Sequence, residues 1–151
     1  MPRLVVNLKE SRNIWSIPDE ALAAIRKAAE PHFEVVVVDA PADSRGDGGS
    51  PSDEALAAVR DAEVYLGFGF PRPLFQAAAM GGRLRWVHTG TAGVGGSLYP
   101  EMVESDVVLT NSAGIHAEPM ADTVLAGILH FARGLDIASA AKAAKRWEDE
   151  S

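Results

Sequence analysis

Glu34-Val35-Val36-Val37-Val38-Asp39 sets four β-branched residues in a row between two acids. A strand with one wet face alternates apolar and polar side chains, whereas a continuous apolar run of this length suits a strand buried on both faces. The pattern recurs in Leu4-Val5-Val6-Asn7-Leu8, Val64-Tyr65-Leu66-Gly67, Arg85-Trp86-Val87-His88 and Val107-Val108-Leu109-Thr110. Between these runs the apolar spacing becomes helical. Residues 19–29 set Leu22, Ile25 and Ala29 on one side, 52–60 set Leu56 and Val59 there, and 73–80 carry Leu74, Phe75 and Ala78. Strands alternating with helices predict an α/β fold: a flavodoxin-like, five-stranded parallel sheet with helices on both faces, since parallel strands need crossovers of about a dozen residues or more. Ligands of such sheets sit beyond the carboxyl ends of the strands. Residues 68–71, 89–96 and 111–119 reach that edge.

Residues 119–135 predict a long C-terminal helix. Met120, Val124, Ile128, Phe131 and Leu135 make one stripe, Ala121, Leu125, Leu129 and Ala132 the next, and Asp122, His130 and Arg133 a narrow polar seam. A helix apolar most of the way round is buried on more than one side, and one small sheet covers one face of it. Another domain or a second copy is expected over the remainder; the alternative is a central helix wrapped by the chain's own tail. Residues 1–135 read as one domain and 136–151, rich in Ala, Lys and Glu, as a helical tail, while the Pro-, Asp-, Ser- and Gly-rich residues 41–52 read as an exposed loop.

The 151 residues are one ordinary domain's worth of chain, and 47% hydrophobic with 23% charged residues is a globular composition. Fourteen Lys and Arg against 21 Asp and Glu give a net charge of -7, a field that repels a phosphate backbone, so nucleic acid is not an expected partner. With no Cys, a disulfide framework, a thiolate metal site and a cysteine nucleophile are excluded. Met1-Pro2-Arg3 leads into a short apolar run ended by Asn7, Lys9 and Glu10, unlike a signal peptide, and no apolar stretch is long enough to span a membrane. A cytoplasmic location without membrane contact is expected.

The glycine cluster Thr89-Gly90-Thr91-Ala92-Gly93-Val94-Gly95-Gly96-Ser97 follows a strand and invites a phosphate-loop reading. A Walker loop fails because Gly96 stands where its lysine must be. A dinucleotide fingerprint fails because Leu98 stands where Gly93-Val94-Gly95 needs a third glycine. Two readings stay open: backbone N–H groups exposed as a nest for a carboxylate, or a tight turn needing positive φ. His116 precedes the apolar helix and reads either as a ligand contact or proton carrier, or as a loop histidine bonded to a backbone carbonyl. His32, His88 and His130 have no metal-ligand spacing, and Ser97 and Ser112 lack an identifiable base, so neither a metal site nor covalent catalysis is expected. Phe68 and Phe70 read as pocket walls or as core at a strand end.

Leu84-Arg85-Trp86-Val87-His88-Thr89-Gly90-Thr91-Ala92-Gly93-Val94-Gly95, then Asp106-Val107-Val108-Leu109-Thr110-Asn111 and Gly114-Ile115-His116-Ala117-Glu118-Pro119-Met120-Ala121-Asp122, resemble the substrate-binding domain of the D-isomer-specific 2-hydroxyacid dehydrogenases. Members of that family join a flavodoxin-like substrate domain to a Rossmann domain that holds NAD or NADP and supplies the catalytic Arg, Glu and His. The resemblance implies that the chain stops about where that second domain begins, that no catalytic residue and no cofactor belong to this portion, and that it is inactive alone. It further implies that the N–H groups of Ala92, Gly93 and Val94 receive the carboxylate of a small 2-hydroxy or 2-oxo acid. By the same resemblance His116 lines the substrate crevice, Phe68 and Phe70 shape the side-chain pocket, and a partner domain or homodimer covers residues 119–135. A different class of function is a stand-alone, non-catalytic module that binds carboxylates or oligomerises through that helix.

Overall fold

Five parallel strands, β1 (Arg3–Asn7), β2 (Glu34–Val37), β3 (Ala62–Gly67), β4 (Trp86–Thr89) and β5 (Val108–Asn111), form one sheet in the order β2-β1-β3-β4-β5. They belong to a computed structural model that describes residues 1–11, 16–41 and 50–147. The crossovers are α1 (Asp19–Ala29), α2 (Asp53–Val59), α3 (Arg72–Gly81) and α4 (Pro100–Val103). Most of the loop expected over 41–52, and the last four residues of the tail, lie outside the described residues.

Local chemistry fixes the helix ends. Ser52 caps α2 by accepting the Ala55 N–H at 3.1 Å, and the Glu54 carboxylate accepts the N–H groups of Asp39 and Ala40 at 3.0 and 2.8 Å, which ties α2 to the chain leaving β2. In α1, Asp19 and Glu20 open the helix and Arg26 and Lys27 close it, each sign at the end of the macrodipole that favours it.

Val5, Tyr65 and Val87 project from neighbouring strands to one side and pack with Ala55, Val59, Leu74, Ala77, Ala78 and Met102, so α2, α3 and α4 cover this face. A fully buried side chain such as Leu74 contributes roughly 1.5–3 kcal/mol through area removed from water. The second face is less covered than the continuous apolar runs suggest. Val6 is fully buried and α1 packs on β2, but Trp86 is 43% and Val108 58% exposed, and Leu4, Val64, Leu66, Trp86 and His88 line an open depression of about 310 Å³. A hydrogen-bonded ladder runs along its rim. Trp86 Nε1 donates to Thr110 Oγ1 at 2.9 Å, and the His88 ring is hydrogen-bonded between Thr110 Oγ1, 2.9 Å from Nδ1, and Ser112 Oγ, 3.2 Å from Nε2.

The chain divides into two compact units, Met1–Ala113 and Gly114–Ser151. The second holds α5 (Ala117–Ala132) and α6 (Leu135–Ala143). The single helix expected over 119–135 therefore starts earlier and stops at Ala132. Gly134 takes a left-handed φ of 59°, open to glycine at little cost, and the axis turns by 69° there. α5 buries none of its residues, with Met120 64% and Phe131 71% exposed. Among the described residues no single helix is long and apolar enough to cross a membrane.

Candidate functional site

The carboxyl ends of four strands line up as Asn7, Gly67, Thr89 and Asn111, paired in register. Asn7 Nδ2 donates to the Tyr65 hydroxyl at 2.9 Å inside the core. Burial pushes that hydroxyl's pKa well above the ordinary tyrosine value, against a smaller pull downward from Asn7. Gly67 has to lack a side chain, because a Cβ there would run into the Tyr65 ring and hydroxyl. Among the described residues Asn7 Oδ1 and Thr89 Oγ1 are buried without a partner, so the polar row is only partly satisfied there.

Beyond β4 the turn at 90–97 keeps its carbonyls occupied. Ser112 N–H donates to Thr91 O at 3.1 Å, Asn111 Nδ2 to Ala92 O at 2.6 Å, Thr91 Oγ1 to Gly93 O at 2.8 Å, and Ser97 N–H to Val94 O at 2.8 Å. Among the described residues nothing accepts the N–H groups of Ala92, Gly93 or Val94. Ala92 and Gly93 are exposed and Val94 is half-buried. Leu98 N–H donates to Gly95 O at 3.3 Å as well, so five carbonyls of the turn are tied, and the N–H groups of Thr91, Gly95 and Gly96 likewise have no acceptor among the described residues. Tied acceptors beside free donors make a surface suited to an anion. The positive-φ reading of this turn fails: left-handed glycines among the described residues are Gly82, Gly114 and Gly134, and a Cβ at Gly93 would meet nothing within 4 Å.

The other expected residues divide. Phe68 is half-buried and stands beside Gly90, whose Cβ position is 3.8 Å from Phe68 Cδ1. Phe70, expected as a pocket wall, is instead fully buried with its ring 4.8 Å from that of Tyr65, so it anchors the loop from within the core. His116 belongs to the second unit, whereas the other five candidates belong to the first. It is the N-cap of α5, its carbonyl accepts the Met120 N–H at 3.0 Å, and its ring is exposed, with no hydrogen bond among the described residues. The reading of His116 as a ring bonded to a backbone carbonyl therefore does not hold.

Three partners escape a reading of the sequence because they act across long separations. They are Asn111 on the turn, Ser97, whose Oγ accepts the Phe70 N–H at 3.1 Å, and Glu101, which pairs with Arg72. The Glu101 carboxyl is held below its ordinary range by its own backbone N–H and by Arg72. Among the described residues no group of three or more His, Asp or Glu could hold a metal ion. Nor do the residues after β4 fit a dinucleotide. The glycines lead into a three-residue 3₁₀ turn, Gly95–Ser97, and the four-residue α4, not into a long helix whose N-terminus faces a pyrophosphate.

No family model and no curated protein matches the chain. Among solved structures, a D-isomer specific 2-hydroxyacid dehydrogenase family protein from Aeromonas salmonicida subsp. salmonicida A449 aligns over 100% of this chain and 42% of its own, at 20% identity and a TM-score of 0.66. Phosphoglycerate dehydrogenase from Lactobacillus plantarum aligns over 98% and 41%, at 22% identity and a TM-score of 0.45. The chain thus spans less than half the length of either protein. At these identities the likeness is one of architecture: over its whole length the chain has the fold of a part of a D-isomer specific 2-hydroxyacid dehydrogenase family protein.

Proposed function

We propose that the chain is the substrate-binding portion of an NAD- or NADP-dependent D-2-hydroxyacid dehydrogenase, working in the cytoplasm, in which Ala92, Gly93 and Val94 hold the carboxylate of a small 2-hydroxy or 2-oxo acid. The observation that carries this reading is the turn with its carbonyls tied and its N–H groups free. Charge-assisted bonds from fixed N–H groups to a carboxylate are stronger than neutral ones, and they orient the adjacent C2 atom for reaction. Phe68 supplies apolar surface beside the turn. This chain binds and orients the acid, and a nicotinamide, if held by residues other than these, would supply the hydride chemistry. With no group assigned to move the proton on the C2 oxygen, the chain alone does not oxidise NADH with glyoxylate, pyruvate or hydroxypyruvate, and clear turnover free of contaminating enzyme would sink this reading.

Binding is tested directly by titrating the isotope-labelled chain with pyruvate and with pyruvamide while following backbone amides by NMR. Pyruvate should move the amides of Ala92, Gly93 and Val94 and pyruvamide should not. Equal responses, or none at these residues, would overturn the assignment. The bare apolar surface of α5 favours a second reading, a module that assembles with a second copy or partner domain through that helix. Sedimentation should then show a dimer that Ile128→Glu dissociates; a wild-type monomer at every concentration removes the second-copy form.

A further inference from the structure

The chain between β3 and α3, which carries Phe68, and the turn after β4, which carries the free N–H groups, are joined at a residue the proposed function leaves without a role. Ser97 is 2% exposed, its Oγ accepts the Phe70 N–H at 3.1 Å across 27 residues, and its own N–H donates to Val94 O at 2.8 Å. One residue therefore closes the end of the turn with its backbone N–H and holds the backbone two residues from Phe68 with its hydroxyl. Other ties flank it. Gly90 N–H donates to Gly67 O at 2.7 Å before it, and after it come the Arg72 to Glu101 ion pair and the edge-on contact of Phe75 and Tyr99, with centroids 5.7 Å apart. The ion pair sits at the surface between two flexible side chains, which adapt at little cost. Ser97 is buried, and its partner is a backbone N–H whose residue is fully buried, so this tie cannot be exchanged for water.

The bonds that shape the carboxylate-holding part of the turn come from Asn111, Thr91 and Ser112, not from the Ser97 hydroxyl. Loss of that hydroxyl would leave the three N–H groups in place and alter the gap between them and Phe68. We propose that Ser97 is a positioning residue that sets this gap, and thereby the discrimination among 2-oxo acids by their side chains. The inference rests on the carboxylate reading of the turn.

The test uses the whole chain as wild type, Ser97→Ala and Ser97→Thr, titrated with glyoxylate, which has no side chain, and with phenylpyruvate, which has a bulky one. The wild type should bind both through Ala92, Gly93 and Val94. Ser97→Ala should change the ratio of the two dissociation constants by about tenfold, the scale on which an apolar pocket senses a small change in fit. Ser97→Thr keeps the hydroxyl and should restore the wild-type ratio. An unchanged ratio in Ser97→Ala overturns the positioning role and leaves carboxylate binding intact. Equal change in Ser97→Ala and Ser97→Thr assigns the effect to packing and also overturns it. A wild type that binds neither acid overturns both readings together. Should Ser97→Ala fail to fold, Ser97→Cys, close in volume but a weak acceptor, is read in its place with the same expectations.

Discussion

Replacing Gly67 with Ala sets a methyl group against a ring that has nowhere to go. A Cβ built at Gly67 lies 2.6 Å from both Cε1 and Cζ of Tyr65 and closer still to the hydroxyl, where comfortable carbon contacts are about 3.5–4.0 Å. Tyr65 is fully buried, stacked at an angle on Phe70, and its hydroxyl accepts the Asn7 amide. Displacing it overpacks the core, at roughly 1–3 kcal/mol. It also frees Asn7 Nδ2 on a side chain whose Oδ1 already lacks a partner among the described residues, which adds about 1–3 kcal/mol. The two effects share one movement, so the expected loss is roughly 2–5 kcal/mol, a fall in Tm of about 5–20 °C for a chain of this size. Gly93→Ala is the control: its Cβ meets nothing within 4 Å and its φ is not left-handed, so it should stay within about 0.5 kcal/mol of wild type. Thermal and urea unfolding followed by circular dichroism would measure both. Adding Tyr65→Phe to Gly67→Ala should recover part of the loss, because the hydroxyl clash disappears while the two ring-carbon contacts remain. A Gly67→Ala protein as stable as the Gly93→Ala control would refute the reasoning.

Two further outcomes follow from the same geometry. The Tyr65 pKa is raised on folding, so the folded chain keeps a proton the unfolded chain releases, and the stability is present below tyrosine's ordinary 10.0 and lost as pH rises beyond it. Tyr99, raised by burial and by Glu101, acts in the same direction. Tyr65→Phe should flatten the alkaline fall of the urea midpoint, while costing about 1–3 kcal/mol at neutral pH through the stranded Asn7 amide; parallel pH curves for mutant and wild type would count against the burial argument. Thr110→Val removes the oxygen shared by Trp86 Nε1 and His88 Nδ1, and should shift the Trp86 indole N–H resonance at a cost of about 1 kcal/mol or less on this exposed strip. An unmoved indole signal would dissolve the ladder.

What is legible in the sequence is what neighbours along the chain decide. The apolar period of residues 19–29 coincides with α1, and the runs at 4–8 and 34–39 mark β1 and β2, because propensity and burial act on consecutive residues. α4 is not legible, since four residues with only Met102 buried show no period. The bend at Gly134 hides because the apolar stripe passes from Phe131 to Leu135 without a break in spacing, and the glycine alone marks it. Four valines in a row announce burial but not its source, so the exposure of Trp86 and Val108 on the second face has no counterpart in the pattern. The candidate site divides along the same line. Small residues at 89–97 announce a turn with accessible backbone, but an anion site depends on which N–H groups stay free. That is decided by what its carbonyls accept, from Asn111 and Ser112 at and beyond the end of β5 and from Ser97 closing the turn. The Asn111 bond spans 19 residues and the Ser97 bond to Phe70 spans 27, separations at which no local period or composition carries information. The proposed carboxylate nest thus rests on the neighbouring strand as much as on its own glycines, and substitutions at Asn111, which remove the bond to Ala92 O, are expected to reach it with the turn's own residues unchanged.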